Sequence, residues 1–231
     1  MEWFAQKWQV VDSLSPFLLH GLWMTFQVSM IAIILGSLLG AVLGIMKTLD
    51  SRALRLGIDA YMHFFRGTPY LVQLYLIYFV LPSLGIAWLQ FDSYTAAIVS
   101  LTLYTASYVT AIVASAIDAV PRGQEEAARA CGMTKAQRLY HIIVPQALRL
   151  TVPPMASVYV IVIKSTAVLS VIGLSELTRQ GETSILRMPQ DTMFIYALIA
   201  GLYFVYCYPV LRFARWAERR VGSSAAAQEN A

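Results

Sequence analysis

Charge is what this chain has least of. Its 231 residues carry 17 Lys and Arg and 13 Asp and Glu, so 13% are charged and 58% are hydrophobic, with a mean hydropathy of +0.61. A soluble domain would carry roughly 25% charge, so the chain reads as an integral membrane protein. Cysteine is equally scarce: Cys131 and Cys207 have no CxxC spacing, which argues against a disulfide framework or a metal site. His20, His63 and His141 are scattered, without HExxH spacing, and none falls in a span expected from hydropathy. An intramembrane protease would need a base positioned beside its nucleophile within the bilayer. No G-x-x-x-x-G-K-[ST] loop is present, so the chain lacks the usual phosphate cradle. The expectation is a non-enzyme with no cofactor of its own. The net charge of +4 lies beside apolar runs and not in one basic patch, which favours membrane topology over nucleic-acid binding. No cleavable signal is expected either, since the first apolar run exceeds an h-region and Glu2 and Asp12 stand against Lys7 before it.

What is present is a set of long apolar runs. The fold expected is an all-α membrane protein of five transmembrane helices, with residues 1–20 an aromatic, interfacial lead-in, 21–221 one transmembrane domain and 222–231 a disordered tail. Leu22 to Met46 has no charge and exceeds the roughly 20 residues that cross the hydrocarbon. Its Gly36, Gly40 and Gly44 form a double GxxxG face, read as helix packing. An amphipathic piece, IDAYMHFFRGTP, leads to a second span from Tyr70 to about Leu89, which Pro82 should kink or end. The third, Tyr94 to Ile117, is rich in hydroxyls, including Tyr104, Ser107 and Tyr108, so one face is expected to meet protein or water. Pro153 and Pro154 should open or bend a fourth, to about Leu174, and the fifth runs from Met193 to Leu211.

Basic residues set the orientation. Lys47, Arg52 and Arg55 follow the first span, Arg122, Arg129, Lys135, Arg138 and Arg149 the third, and Arg212, Arg215, Arg219 and Arg220 the fifth, against Lys7, Arg179 and Arg187 on the other side. By the positive-inside rule the N-terminus is outside and the C-terminus inside. The polar stretch QEEAARACGMTKAQRLYHIIVP, part of a loop over about 121–145, then faces the cytoplasm. It reads as two short helices with a hinge. Pro121 suits a first turn, Glu125 and Glu126 suit a helix N-terminus, and Gly132 suits a left-handed ending. Thr134 and Gln137 form a capping box, with Lys135 and Arg138 on the exposed side of the second helix.

The order E-A-A, Gly, then I-x-V-P resembles the EAA loop of the membrane subunits of ATP-binding cassette importers: Glu126, Ala127, Ala128, Gly132, Ile142 and Pro145 match it, with Val144 where leucine is usual. FFRGTPYLVQLYLIYF is similar to the polar amino-acid branch of that family, the histidine, glutamine and opine type. The resemblance covers about His20 to Val221. It implies a permease subunit in the bacterial inner membrane, a second permease subunit, two ATP-binding cassette subunits that use the ATP, and a periplasmic solute-binding protein. It implies that Glu125, Glu126, Ala127, Ala128, Gly132, Ile142 and Pro145 couple this chain to the ATPase. The branch often has Asn and Y-x-x-E in the third span and an Asn-Glu pair in the fourth. Here Tyr104 stands near the first Asn, Tyr108 is kept, Ala111 replaces the Glu, and Ser157 and Val158 occupy the pair. The paired permease is therefore expected to be unlike this one.

Lys164 is the sharpest single residue, since a mid-membrane lysine costs roughly 2.5 to 3.5 kcal/mol on insertion scales. Two readings stay open. With Ser165 and Thr166 it lines the translocation path beside Tyr104, Ser107 and Tyr108, at a helix break; or it snorkels or pairs structurally. The rival to the importer reading is a self-sufficient channel or secondary transporter with no ATPase partner. It leaves the EAA-like loop without a role.

Overall fold

The computed structural model describes the backbone of residues 2–229 and the side chains of residues 4–219. Every regular element among the described residues is helical. Among the described residues, four helices are long and apolar enough to cross a membrane: Phe4–Lys47, Ser93–Asp118, Lys135–Ile172 and Pro189–Arg219. A fifth crossing is available if Arg52–Gly67 and Tyr70–Ser83, bent by 109° at the break between them, count as one span. The all-helical expectation holds, and its boundaries move in four places; the last is the fifth span, expected from Met193 to Leu211, whose helix runs from Thr192 to Glu229 and into the stretch expected to be a disordered tail.

The first helix runs unbroken from Glu2 to Lys47 through Pro16, so the lead-in expected over 1–20 is continuous with the first span. At 46 residues it is about 69 Å long, well beyond the hydrocarbon thickness. The second span is shorter than expected. It ends at Ser83, and Gln90 is reached through a turn and a short 3-10 segment, Ala87–Leu89.

The fourth span begins far earlier than Pro153 and Pro154, which sit inside a helix already under way at Lys135. Pro145 does not end it either. Proline lacks the N–H that would bond the carbonyl four residues back, and its ring crowds that carbonyl. The chain answers with a widened π turn over Leu139–Ile143, closed by the Val144 N–H on the Leu139 carbonyl, directly before Pro145. The same device precedes Pro82, where Leu76–Val80 is a π turn closed by the Leu81 N–H on the Leu76 carbonyl. The wider turn stands directly before each proline, and the helix continues past it.

The chain forms two compact units. One comprises Met1–Ala32, Tyr70–Leu101 and Ile161–Tyr208. Its core gathers Val10, Leu14 and Leu18 from the first helix with Leu177, Ile195 and Ile199. Lys7 and Asp191 form a largely buried ion pair there, and Gln73 and Thr25 are also buried.

The other unit comprises Ile33–Pro69, Thr102–Val160 and Pro209–Ala231. The glycine face expected from sequence is its seam: a Cβ on Gly36, Gly40 or Gly44 would stand 2.6, 2.6 and 2.7 Å from Cβ of Thr105, Val109 and Val113. Real Cβ atoms do not approach so closely, so only glycine permits this spacing, the close backbone approach that drives helix association in lipid. Val109, Val113, Ala116, Ile117, Val120 and Ala147 form the core beside it. Tyr159 and Ser37 hydroxyls meet at 2.9 Å, and Tyr61 donates to the Leu103 carbonyl at 2.6 Å.

Candidate functional site

The polar elbow lies wholly within the second unit. Its first helix, Arg122–Ala130, starts after Pro121, with Glu125 in its first turn where negative charge is favourable. It ends in a complete Schellman motif: the Gly132 N–H reaches the Arg129 carbonyl at 3.0 Å and the Met133 N–H the Ala128 carbonyl at 3.2 Å. Gly132 takes φ +77°, the left-handed conformation that side chains disfavour, with open space where a Cβ would stand. Thr134 then caps the next helix through the expected box, its backbone N–H on Gln137 Oε1 at 2.8 Å and its hydroxyl accepting from the Gln137 N–H at 3.3 Å.

Arg138 departs from expectation. The sequence pattern puts it on the exposed side of the second helix, yet its side chain is 15% exposed. It donates to the Met133 carbonyl at 2.9 Å and stands 3.4 Å from Glu125 Oε1, tying the two arms of the elbow together. The physical reason is the sharp Gly132 turn, which folds the second helix back so that this face meets the first. Lys135, exposed as expected, forms an ion pair with Asp50 in the loop between the first two helices. The Lys135 ammonium holds the Asp50 carboxyl below the usual carboxylate range. Lys47 pairs with Asp59 at 2.6 Å.

Of the residues expected to couple to an ATPase, Glu125, Glu126, Ala127, Gly132 and Pro145 are exposed, Ile142 is half-buried, and Ala128 is buried. Tyr140 and Leu148 add exposed apolar surface on the same stretch.

The six expected path residues divide between the units. Tyr104, Ser107 and Tyr108 belong to the second, where the Tyr104 and Tyr108 hydroxyls lie 3.3 Å apart and their rings meet edge to face. Ser107 is turned back, donating to the Tyr104 carbonyl at 2.7 Å. Lys164, Ser165 and Thr166 belong to the first unit. Lys164 and its neighbour Ser165 end the α-helical stretch, and Thr166 opens a 3-10 segment to Ile172. Lys164 is exposed, whereas the Ser165 and Thr166 hydroxyls are spent on the Ile161 and Ile163 carbonyls at 2.9 and 2.7 Å.

Two residues outside those expectations stand out. Glu176 is fully buried in the first unit and caps the helix Leu177–Arg187, accepting from the Thr178 and Arg179 N–H groups at 2.9 and 2.7 Å and from the Tyr203 hydroxyl at 3.1 Å. Burial pushes its carboxyl up to about 7, against the pull of the two N–H groups. Arg66 lies 5.4 Å from the centre of the Tyr108 ring. A cavity of about 380 Å³ opens there, lined by Met62, His63, Arg66, Gly67 and Tyr108. Glu176 carries no local motif, and Arg66, though it lies within FFRGTP, meets Tyr108 only once distant parts of the chain come together.

Comparison with known proteins agrees with this architecture. Residues 14–223 match the family described as binding-protein-dependent transport system inner membrane component. The chain is 30% identical to the L-cystine transport system permease protein TcyB of Bacillus subtilis over 94% of its own length and 92% of the relative's. It is also 30% identical to the glutamine transport system permease protein GlnP of Escherichia coli, over 93% and 97%. A crystal structure of an amino acid ABC transporter with histidines superposes with a TM-score of 0.83 at 33% identity, covering 92% of this chain and 97% of that one. The methionine ABC transporter MetNI in an inward-facing conformation shares the fold at 22% identity and a TM-score of 0.71. The chain therefore belongs to the family of binding-protein-dependent transport system inner membrane components.

Proposed function

We propose that this chain is the permease subunit of an ATP-binding cassette importer for polar amino acids or closely related compounds. It sits in a bacterial inner membrane with its N-terminus outside, and works with a second permease subunit, two ATPase subunits and an extracytoplasmic binding protein. One observation carries the reading: a short exposed helix held at a fixed angle by the Gly132 turn and the Arg138 tie to Glu125 and Met133. Continuous with a span from Lys135 to Ile172, that elbow converts a push on its tip into movement of the helix it opens. ATP binding by the partner shifts the population between two packings of the helices, and this chain supplies the lever. The amino-acid class is supported by what the relatives are named to carry, cystine and glutamine. Ala111, Ser157 and Val158 leave no acidic group at the positions where the polar amino-acid branch often has one, which favours an unlike second permease.

The test is photocrosslinking from residues 126 and 127 of the assembled complex in native membranes. The expected product is this chain joined to a nucleotide-hydrolysing protein; capture of lipid alone, with labelling of these positions from outside the cell, refutes the reading. Full uptake restored by this chain as a homodimer refutes the unlike pair.

A further inference from the structure

We infer that Arg66, set against Tyr108, forms a recognition site for the carboxylate of the transported amino acid inside this subunit. The inference rests on the importer reading and extends it to the chemistry of the cargo.

Depth is the first argument. Tyr108 lies in the helix Ser93–Asp118, ten residues before its end, so it stands about 15 Å along the axis and near the middle of a hydrocarbon layer roughly 30 Å thick. Arg66 shares that depth because its guanidinium lies over the Tyr108 ring at 5.4 Å. A permanent cation there is costly when it faces lipid, and such groups face a bundle interior or a water-filled cavity. Arg66 is exposed on this chain and borders the 380 Å³ cavity, whose other walls are Met62, His63, Gly67 and Tyr108.

The second argument is chemical. Among the described residues no carboxylate lies within ion-pair distance of Arg66. Its place in the last turn of Arg52–Gly67 suits the helix dipole, which holds the cation without consuming its donors. The guanidinium lies over the Tyr108 ring and offers a planar fork of donors whose geometry matches a carboxylate. The Tyr104 and Tyr108 hydroxyls, 3.3 Å apart, supply further polar contact on the same helix. No acidic side chain lines the cavity, so it suits the acid end of an amino acid and not the amine. A volume of about 380 Å³ is of the size that holds a small molecule.

The experiment uses the complete importer in proteoliposomes. Uptake of each of the twenty radiolabelled amino acids and cystine identifies what the wild type carries. That compound and its α-amide are then bound to the permease–ATPase complex in nanodiscs, without binding protein. The wild type is expected to prefer the acid over the amide at least tenfold. Arg66→Gln should narrow the preference below threefold, and Arg66→Lys, which keeps the charge but loses the fork, should reduce it at least threefold. Arg52→Gln, at the opposite end of the same helix, should leave it unchanged. If Arg66→Gln fails to assemble, Arg66→Lys decides alone. A wild type that imports but binds acid and amide alike, or Arg66 variants that keep the full preference, overturns the site. A wild type that imports no amino acid overturns the amino-acid part of the importer reading and this inference with it, while crosslinking from residues 126 and 127 tests the importer reading by itself.

Discussion

One guanidinium closes the elbow: Arg138 donates Nη1 to the Met133 carbonyl at 2.9 Å and holds Nη2 3.4 Å from Oε1 of Glu125. The two contacts are unequal. Glu125 is half-exposed, so its ion pair contributes about 0.5 kcal/mol or less in water. The charged hydrogen bond to Met133, largely sheltered from solvent, is worth about 1.5–3 kcal/mol. Arg138→Ala is therefore expected to loosen the elbow far more than Glu125→Gln. In the assembled importer, Arg138→Ala should keep ATP hydrolysis but lose at least 80% of uptake, whereas Glu125→Gln retains more than half. Parallel uptake and hydrolysis assays check this, and equal losses from the two variants would show that the tie is not what transmits force.

Gly132 separates conformation from space. A Cβ there meets nothing within 4 Å, yet φ is +77°. Gly132→Ala should thus cost about 1–2 kcal/mol from backbone strain alone, and Gly132→Asn less, since asparagine visits this region more readily. The expected ranking of ATPase retained on affinity-purified complexes is glycine, asparagine, alanine, valine. Retention insensitive to this series would mean the turn is not needed for docking.

The seam at Gly40 is the opposite case, with space and not φ in control. A Cβ there would fall 2.6 Å from Val109 Cβ and 2.8 Å from the Ala106 carbonyl oxygen. The backbone carbonyl cannot yield as a side chain can, so Gly40→Ala should cost about 1–3 kcal/mol by overpacking. A drop in apparent melting temperature of the purified complex is the readout. Val109→Ala added to it should recover only part of the loss, because the Ala106 carbonyl remains; full recovery would locate the strain in the valine alone.

What could be read from sequence was local. Thr134 and Gln137 are three residues apart, and Gly132 follows a helical run, so the cap and the turn are written in adjacent side chains. The GxxxG spacing likewise fixes a face, though not its partner. Pro153 and Pro154 suggest a helix start or bend because proline reports a missing donor, and only the three-dimensional chain shows a helix already under way that runs through both. Asp50 with Lys135 and Arg66 with Tyr108 are pairs between distant segments, and one sequence carries no signal for them. The burial of Arg138 is likewise not local, since it depends on the angle of the turn before it.

Glu176 makes stability depend on pH. Its folded carboxyl is raised from 4.5 to about 7, chiefly by burial, so between those values the folded chain holds a proton that the unfolded chain has released. Linkage then gives the sign: the contribution is fully present below about pH 4.5 and is lost as pH rises through about 7. A shift of that size corresponds to roughly 3 kcal/mol, as an order of magnitude for a group so thoroughly buried. Glu176→Gln is neutral like the protonated form and keeps an acceptor for the Arg179 N–H, but its donor-only NH2 cannot accept from the Thr178 N–H, so that hydrogen bond is lost. The variant should therefore melt lower than wild type at pH 5, where both side chains are neutral and only the acid fits the cap in full. At pH 8 the gap should close or reverse. Melting curves of the purified complex at half-unit steps from pH 4.5 to 8 check this: wild type declines relative to the variant across the window. Parallel curves for the two proteins would mean that the carboxyl titrates at its ordinary value despite its burial.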